Sequence, residues 1–141
     1  MIYKPKYFQL YELLPQAFLE VNAGQGDRLW LMFDYRVLWT ADRLRERYGP
    51  MQANTWYRGG KHQYRGWRPW NCSVGAFLSQ HKFGRALDLI PLQADVDRIR
   101  EDIITERDNP DFQHITCLED NISWLHFDTR NWSNGVLIVN P

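Results

Sequence analysis

Cysteine is scarce in this chain. Cys72 and Cys117 are the only two in 141 residues, too few for a disulfide framework or a cysteine-rich zinc site. They read as free thiols of a protein folded in the cytosol. Long apolar runs are missing as well. The densest, "LWLMF" at Leu29–Phe33, is far shorter than the ~20 residues a membrane helix needs. The opening "MIYKPKYFQLYELLPQAF" lacks a basic segment followed by a continuous apolar stretch, so no secretory signal is expected and no membrane insertion. An excess of charge of one sign is also lacking: 17 basic and 17 acidic residues give a formal net charge of zero. That balance argues against a broad nucleic-acid surface, because affinity for nucleic acid grows with the number of phosphates neutralised.

What the chain has in quantity is aromatic side chains, 15% of its residues, with seven Trp. Such side chains fill a core or line a groove. The length suits one domain, residues 1–141, able to bury a core without disulfides. Its first part, 1–50, reads as helical. Apolar residues recur at helical spacing over Tyr11–Val21, and Asn22–Gly26 is a stop. Asp27 can cap a second helix that runs to about Tyr48 and ends at Gly49-Pro50. The part over 51–141 reads differently. Met51–Arg58 is β-like, Gly59–Cys72 is an aperiodic loop, and Val74–Gln80 suggests a short helical turn. Ala86–Pro91 reads as a buried strand and Ala94–Asp108 as an amphipathic helix. Three short strands follow, Phe112–Leu118, Ile122–Asp128 and Val136–Val139. Helices first and strands later predict an α+β domain, its N-terminal helices packed on a small, mainly antiparallel sheet.

The four histidines are His62, His81, His114 and His126. A catalytic zinc takes three protein ligands from His, Asp or Glu and keeps a fourth position for water. In "SQHKFGRALDL" (Ser79–Leu89), His81 and Asp88 are seven residues apart, which is no helical face. They would have to meet across a turn, where Gly84 permits a close backbone return and Ala86 leaves room. In "SWLHFDTRNW" an extended backbone puts Trp124, His126 and Asp128 on one face, with Leu125 and Phe127 on the other. A lone histidine beside a strand is more often structural, so spacing alone leaves the question open. His62 and His114 read most simply as structural or solvent-exposed.

The two segments together carry a resemblance. "SQHKFGRALD" fits S-x-H-x-x-G-x-A-x-D, and "WLHFD" follows as W-x-H-x-D. Paired, they resemble the zinc D-alanyl-D-alanine metallopeptidases, a family of cell-wall carboxypeptidases, vancomycin-resistance dipeptidases and phage L-alanyl-D-glutamate endolysins with a hedgehog-like metal site. The resemblance covers about Leu38 to Arg130, roughly two-thirds of the chain. It implies one Zn²⁺ per chain on His81, Asp88 and His126, with Ser79 contacting substrate. It also implies that Arg58, in "NTWYR", binds a substrate carboxylate, a role that suits a planar guanidinium. Trp124 shares the metal face and would contact substrate too.

The chain departs from the family at the general base. Many relatives have an acid three residues before the last histidine, where this sequence has Ser123. Glu119, from the preceding turn, is the first substitute; Asp120 and Asp128 are alternatives, and Asp128 could instead orient His126. The loop Tyr57–Trp70 interleaves Arg, Lys, Tyr and Trp. It is either pinned against the domain or a wall of a substrate cleft, and nucleic-acid binding is the least favoured of its readings. The resemblance implies a hydrolase that cuts bacterial peptidoglycan peptides, with an endopeptidase favoured over a carboxypeptidase and the bond that is cut left open. The expected setting is a bacteriophage or prophage product made in the cytoplasm, reaching the wall through a lysis pore or as a virion component. The rival reading is a non-catalytic, zinc-retaining binding or structural module of a virion.

Overall fold

Pro15 sets the form of the chain's first helical segment. The structure, a computed structural model, describes all residues 1–141. The expected helix over Tyr11–Val21 is two helices, α1 (Leu10–Leu13) and α2 (Gln16–Asn22). A residue before proline is driven into extended backbone, and Leu14 lies there at φ −113°, ψ 148°. The second expected helix is also broken. Ala23–Met32 is a 3-10 stretch interrupted at Gly26, and Phe33 is extended. The long helix α3 is therefore Tyr35–Tyr48, and its cap is Asp34, which accepts from the Arg36 amide at 2.9 Å. Asp27 is not the cap; it pairs with Lys4 at the surface at 3.2 Å. Gly49, at φ +87°, ends α3 as expected.

The sheet has five short strands: β1 (Met51–Gln52), β2 (Ala86–Pro91), β3 (Cys117–Glu119), β4 (Leu125–Asp128) and β5 (Leu137–Val139). Their order is β1-β2-β4-β3-β5, all antiparallel except the β3–β5 pair. The α+β expectation holds, with the helices N-terminal save α4 (Val96–Thr105). Several expected boundaries do not. The β-like run over Met51–Arg58 is a strand only at Met51–Gln52, and Trp56–Arg58 coils into a 3-10 turn. The expected helical turn over Val74–Gln80 forms later, as a 3-10 turn at Gln80–Phe83. Asn109 caps a 3-10 turn at Pro110–Phe112, so the strand expected from Phe112 begins at Cys117.

One apolar cluster of 22 buried residues joins the helical part to the sheet, with Val37, Leu38, Ala41 and Leu44 of α3 meeting Leu87, Leu89, Leu125 and Phe127 of the strands. Helix α4 adds Ile99 and Ile103. Its Arg100, buried on the same side, donates to the carbonyls of Glu119, Ile122 and Trp124 and so anchors the β3–β4 connection. The opposite face of β2 and β4 is polar, and there the register sets Asp88 directly across from His126 and Ala86 across from Asp128.

Candidate metal centre

Three buried side chains meet on that polar face. The 3-10 turn Gln80–Phe83 presents His81, and Gly84 reverses the chain at φ +68°, a left-handed conformation that glycine adopts without strain. A Cβ at Gly84 would run into the Met32 carbonyl. The Gly84 carbonyl in turn accepts from the Asp34 amide at 2.9 Å, so the turn is docked on the start of α3. β2 then carries Asp88 back beneath His81. His81, Asp88 and His126 are 2%, 7% and 4% exposed, and each offers a ligand atom within 4.8 Å of the other two.

Hydrogen bonding assigns the nitrogens of His81 and gives those of His126 a carboxylate each. His81 Nδ1 lies 2.7 Å from the Gly66 carbonyl, and His126 Nε2 lies 3.0 Å from Asp128 Oδ2. The Gly66 carbonyl only accepts, so His81 Nδ1 donates; His126 faces a carboxylate acceptor at each nitrogen, so the imidazolium donates at both and the neutral ring at one. When His126 is neutral and holds its proton on Nε2, one lone pair of each ring faces Asp88. His126 Nδ1 is 2.7 Å from Asp88 Oδ1. His81 Nε2 is 3.3 Å from Asp88 Oδ2, but misaligned, and it is a buried nitrogen without a hydrogen-bond partner. Two lone pairs set against a carboxylate need a cation between them, either a proton or a metal ion. An N,N,O donor set of this kind fits a divalent ion such as zinc, with a further position left for water.

With protons as the only cations, the cluster polarises itself. Burial opposes a charged His126. Hydrogen bonds to Asp128 and Asp88, with the charges of Asp88 and Glu119, outweigh burial and lift the imidazole to about 9. Burial likewise works against a charged Asp88, yet the neighbouring His81 and His126 hold its carboxyl well below the usual range. Behind His126, Asp128 is fully buried. The Arg130 guanidinium grips it with Nε at 2.8 Å from Oδ1 and Nη2 at 2.6 Å from Oδ2. Asp128 therefore fixes the ring of His126 from the side away from Asp88.

A pocket of about 540 Å³ opens over the cluster. Glu119, Trp124 and Ser79 line it, as do Arg68 and Arg130. Glu119 Oε2 is 3.9 Å from His126 Nδ1, on the side where the lone pairs converge. Of the alternative acids, Asp120 is exposed and accepts from the Asn121 amide, and Asp128 is committed to Arg130 and His126. Arg58 is not in the pocket. It is exposed and bonds the side chain of Gln52, because Trp56–Arg58 coils away instead of extending toward the site. Arg68 takes its place: 7% exposed, it sends Nε to the Tyr64 carbonyl at 2.7 Å and Nη2 to Asp88 Oδ2 at 3.1 Å. Neither Arg68 nor Arg130 was singled out by sequence. Arg68 lies in an aperiodic loop, although Arg130 could have been read from its position two residues beyond Asp128 on the same extended segment. His114 packs edge-on against Tyr35 and Trp39, apart from the site. Comparison with protein-family models, curated proteins and solved structures returned no match for this chain.

Proposed function

We propose that the protein is a zinc-dependent peptidase of bacterial peptidoglycan peptides, an endopeptidase made by a phage or prophage and acting as an endolysin or from the virion. The observation that carries this reading is the convergence of His81 Nε2 and His126 Nδ1 on Asp88 with Glu119 beside them. When bound there, zinc supplies a Lewis acid that acidifies water toward neutral pH and polarises a carbonyl. His81, Asp88 and His126 would hold it. Glu119 takes the proton of the attacking water and returns it to the leaving amine, the work of a general base and then acid. Arg68, preorganised by Tyr64 and Asp88, and Arg130 offer guanidinium edges to substrate carboxylates. Trp124 and Ser79 complete the wall that orients the peptide.

A second reading draws on two observations. Ser123 stands where many members of the resembled family have an acid, and the Arg68–Asp88 ion pair can balance the buried carboxylate without a metal. Both favour a non-catalytic module with the same fold. Incubating the purified chain with bacterial sacculi, with zinc or with chelator, and identifying released peptides by mass spectrometry separates the two. Zinc-dependent release with new peptide termini supports the peptidase. A folded, zinc-loaded chain that releases nothing from several wall types overturns it.

A further inference from the structure

A second pocket, of about 360 Å³, adjoins the first. The two share Arg68, Val74, Asp88 and Trp124. Of the three candidate ligands Asp88 lines both lobes, while His81 and His126 line the first alone, so the second lobe meets the candidate metal centre at Asp88. The outer wall of the second lobe is the segment Lys61–Arg65.

That wall is stitched to the fold. The Thr55 and Trp56 amides donate to the His62 carbonyl at 2.8 and 3.1 Å, and the His62 amide donates to Thr55 Oγ1 at 3.1 Å. The Arg65 amide donates to Oδ1 of fully buried Asn54 at 3.0 Å, and Arg65 Nη1 to the Ala53 carbonyl at 3.0 Å. The Asp88 amide donates to the Arg65 carbonyl at 2.8 Å. The lobe is thus tied to the strand that bears a candidate metal ligand, and a lobe built beforehand spares a ligand much of the ordering cost.

Its charge is one-sided. Lys61, Arg65 and Arg68 face it with His62, and its sole acid is Asp88. Asp88 is already paired with Arg68, His81 and His126, which leaves Lys61 and Arg65 without a carboxylate partner. Burial and the positive charges of Arg65 and Lys61 push the pKa of His62 down, as a net positive field would. The lobe's volume is at the small end of ligand pockets, ~300–1,000 Å³, which suits one or two residues of a peptide better than a nucleic-acid strand.

Resting on the peptidase reading, we infer that this lobe binds a carboxylate-bearing residue of the substrate on one side of the cleaved bond, with Lys61 and Arg65 as its specificity-determining cations. The substrate then runs through both lobes, and the preferred stem peptides carry a free carboxylate near the scissile bond instead of a carboxamide.

The test compares zinc-loaded chain on two muropeptides that differ only in that carboxylate or carboxamide. The expected preference for the carboxylate is at least about tenfold in kcat/KM, the size of a charge-assisted hydrogen bond. Lys61→Gln and Arg65→Gln, the latter keeping a donor for Ala53, should each shrink the ratio several-fold. Equal cleavage of the two, or a ratio that neither variant moves, overturns the inference and leaves the peptidase reading standing. If neither muropeptide is cut, the peptidase reading fails. The lobe is then judged by NMR titration of the zinc-loaded chain with N-acetylglutamate and with N-acetylglutamine. Glutamate-selective shifts of the amides of Lys61–Arg65 that vanish in Lys61→Gln uphold the anion site, and unselective or absent shifts overturn it.

Discussion

Replacing Asp128 by Asn changes one atom and, by the hydrogen bonding of the cluster, the chemistry of His126. The native carboxylate accepts at both oxygens: Oδ2 from His126 Nε2 and Arg130 Nη2, Oδ1 from Arg130 Nε and the Arg130 amide. An asparagine must put its NH2 at one of those positions. Facing Arg130 Nε and the backbone amide, it would oppose two donors. Facing His126 and Arg130 Nη2, it would oppose one fixed donor and one that can be relocated, because the imidazole can switch tautomer, accept at Nε2 and donate from Nδ1 to Asp88. That hydrogen bond, over 2.7 Å, is a good one, but it consumes the lone pair meant for the metal. The expected loss of zinc affinity is about 10–100-fold, the usual cost of removing an outer partner of a ligating histidine, or ~1.4–2.7 kcal/mol. Weakening the half-buried Arg130 pair should cost a further ~1–3 kcal/mol of folding stability. Chelator competition measures the affinity, and ¹⁵N NMR of His126 reports the tautomer. Zinc affinity unchanged in a variant whose His126 still carries its proton on Nε2 would refute the reasoning.

Three further outcomes follow from the same geometry. Glu119→Gln should keep zinc stoichiometry by elemental analysis while lowering peptide release by roughly 10²–10⁴-fold, the range of general-base catalysis; release near the native rate would remove Glu119 from the chemistry. In chelated protein His126 is raised from 6.5 to about 9, so its contribution to stability is fully present below the lower value and fades as pH rises through the upper one. Urea unfolding midpoints should therefore fall across that window in chelator, and a flat or rising trend would contradict the assigned contacts. Gly84→Ala should destabilise the fold by ~1–2 kcal/mol for the left-handed backbone alone, with more from contact against the Met32 carbonyl, and should lower zinc affinity. Unchanged thermal melting and zinc titration would show that the turn is not needed in this form.

The parts of the site read from sequence were those whose geometry is local. Asp88 and His126 are brought together by alternation along two short strands, and His81 by a single left-handed glycine, so spacing and residue type made them candidates and the resemblance joined them into one set. The arginines were not legible in that way. Arg58 and Arg68 are both in or beside a loop with no period, and which one reaches Asp88 depends on Thr55–Trp56 coiling back onto His62, a contact made only in the folded chain. The helical part contains one missed local signal and one that is not local. Pro15 sits in plain view within an apolar period and should have split the first helix. The break at Phe33–Asp34 is different: Phe33 packs into the core as extended chain and the Asp34 amide bonds Gly84, fifty residues on, so burial and a distant partner override the helical pattern.

The bond between the Asp34 amide and the Gly84 carbonyl makes the helix start and the His81 turn parts of one thermodynamic unit. Asp34 both caps α3 and holds the turn that carries His81. Any ion that favours the native placement of His81 therefore favours a capped α3, and linkage makes the effect reciprocal. Loosening the cap from the helical side should weaken the ion's grip by the same free energy that the ion lends to the cap. Slower hydrogen exchange at the Asp34 amide on adding zinc would register that coupling at a residue that touches no ligand.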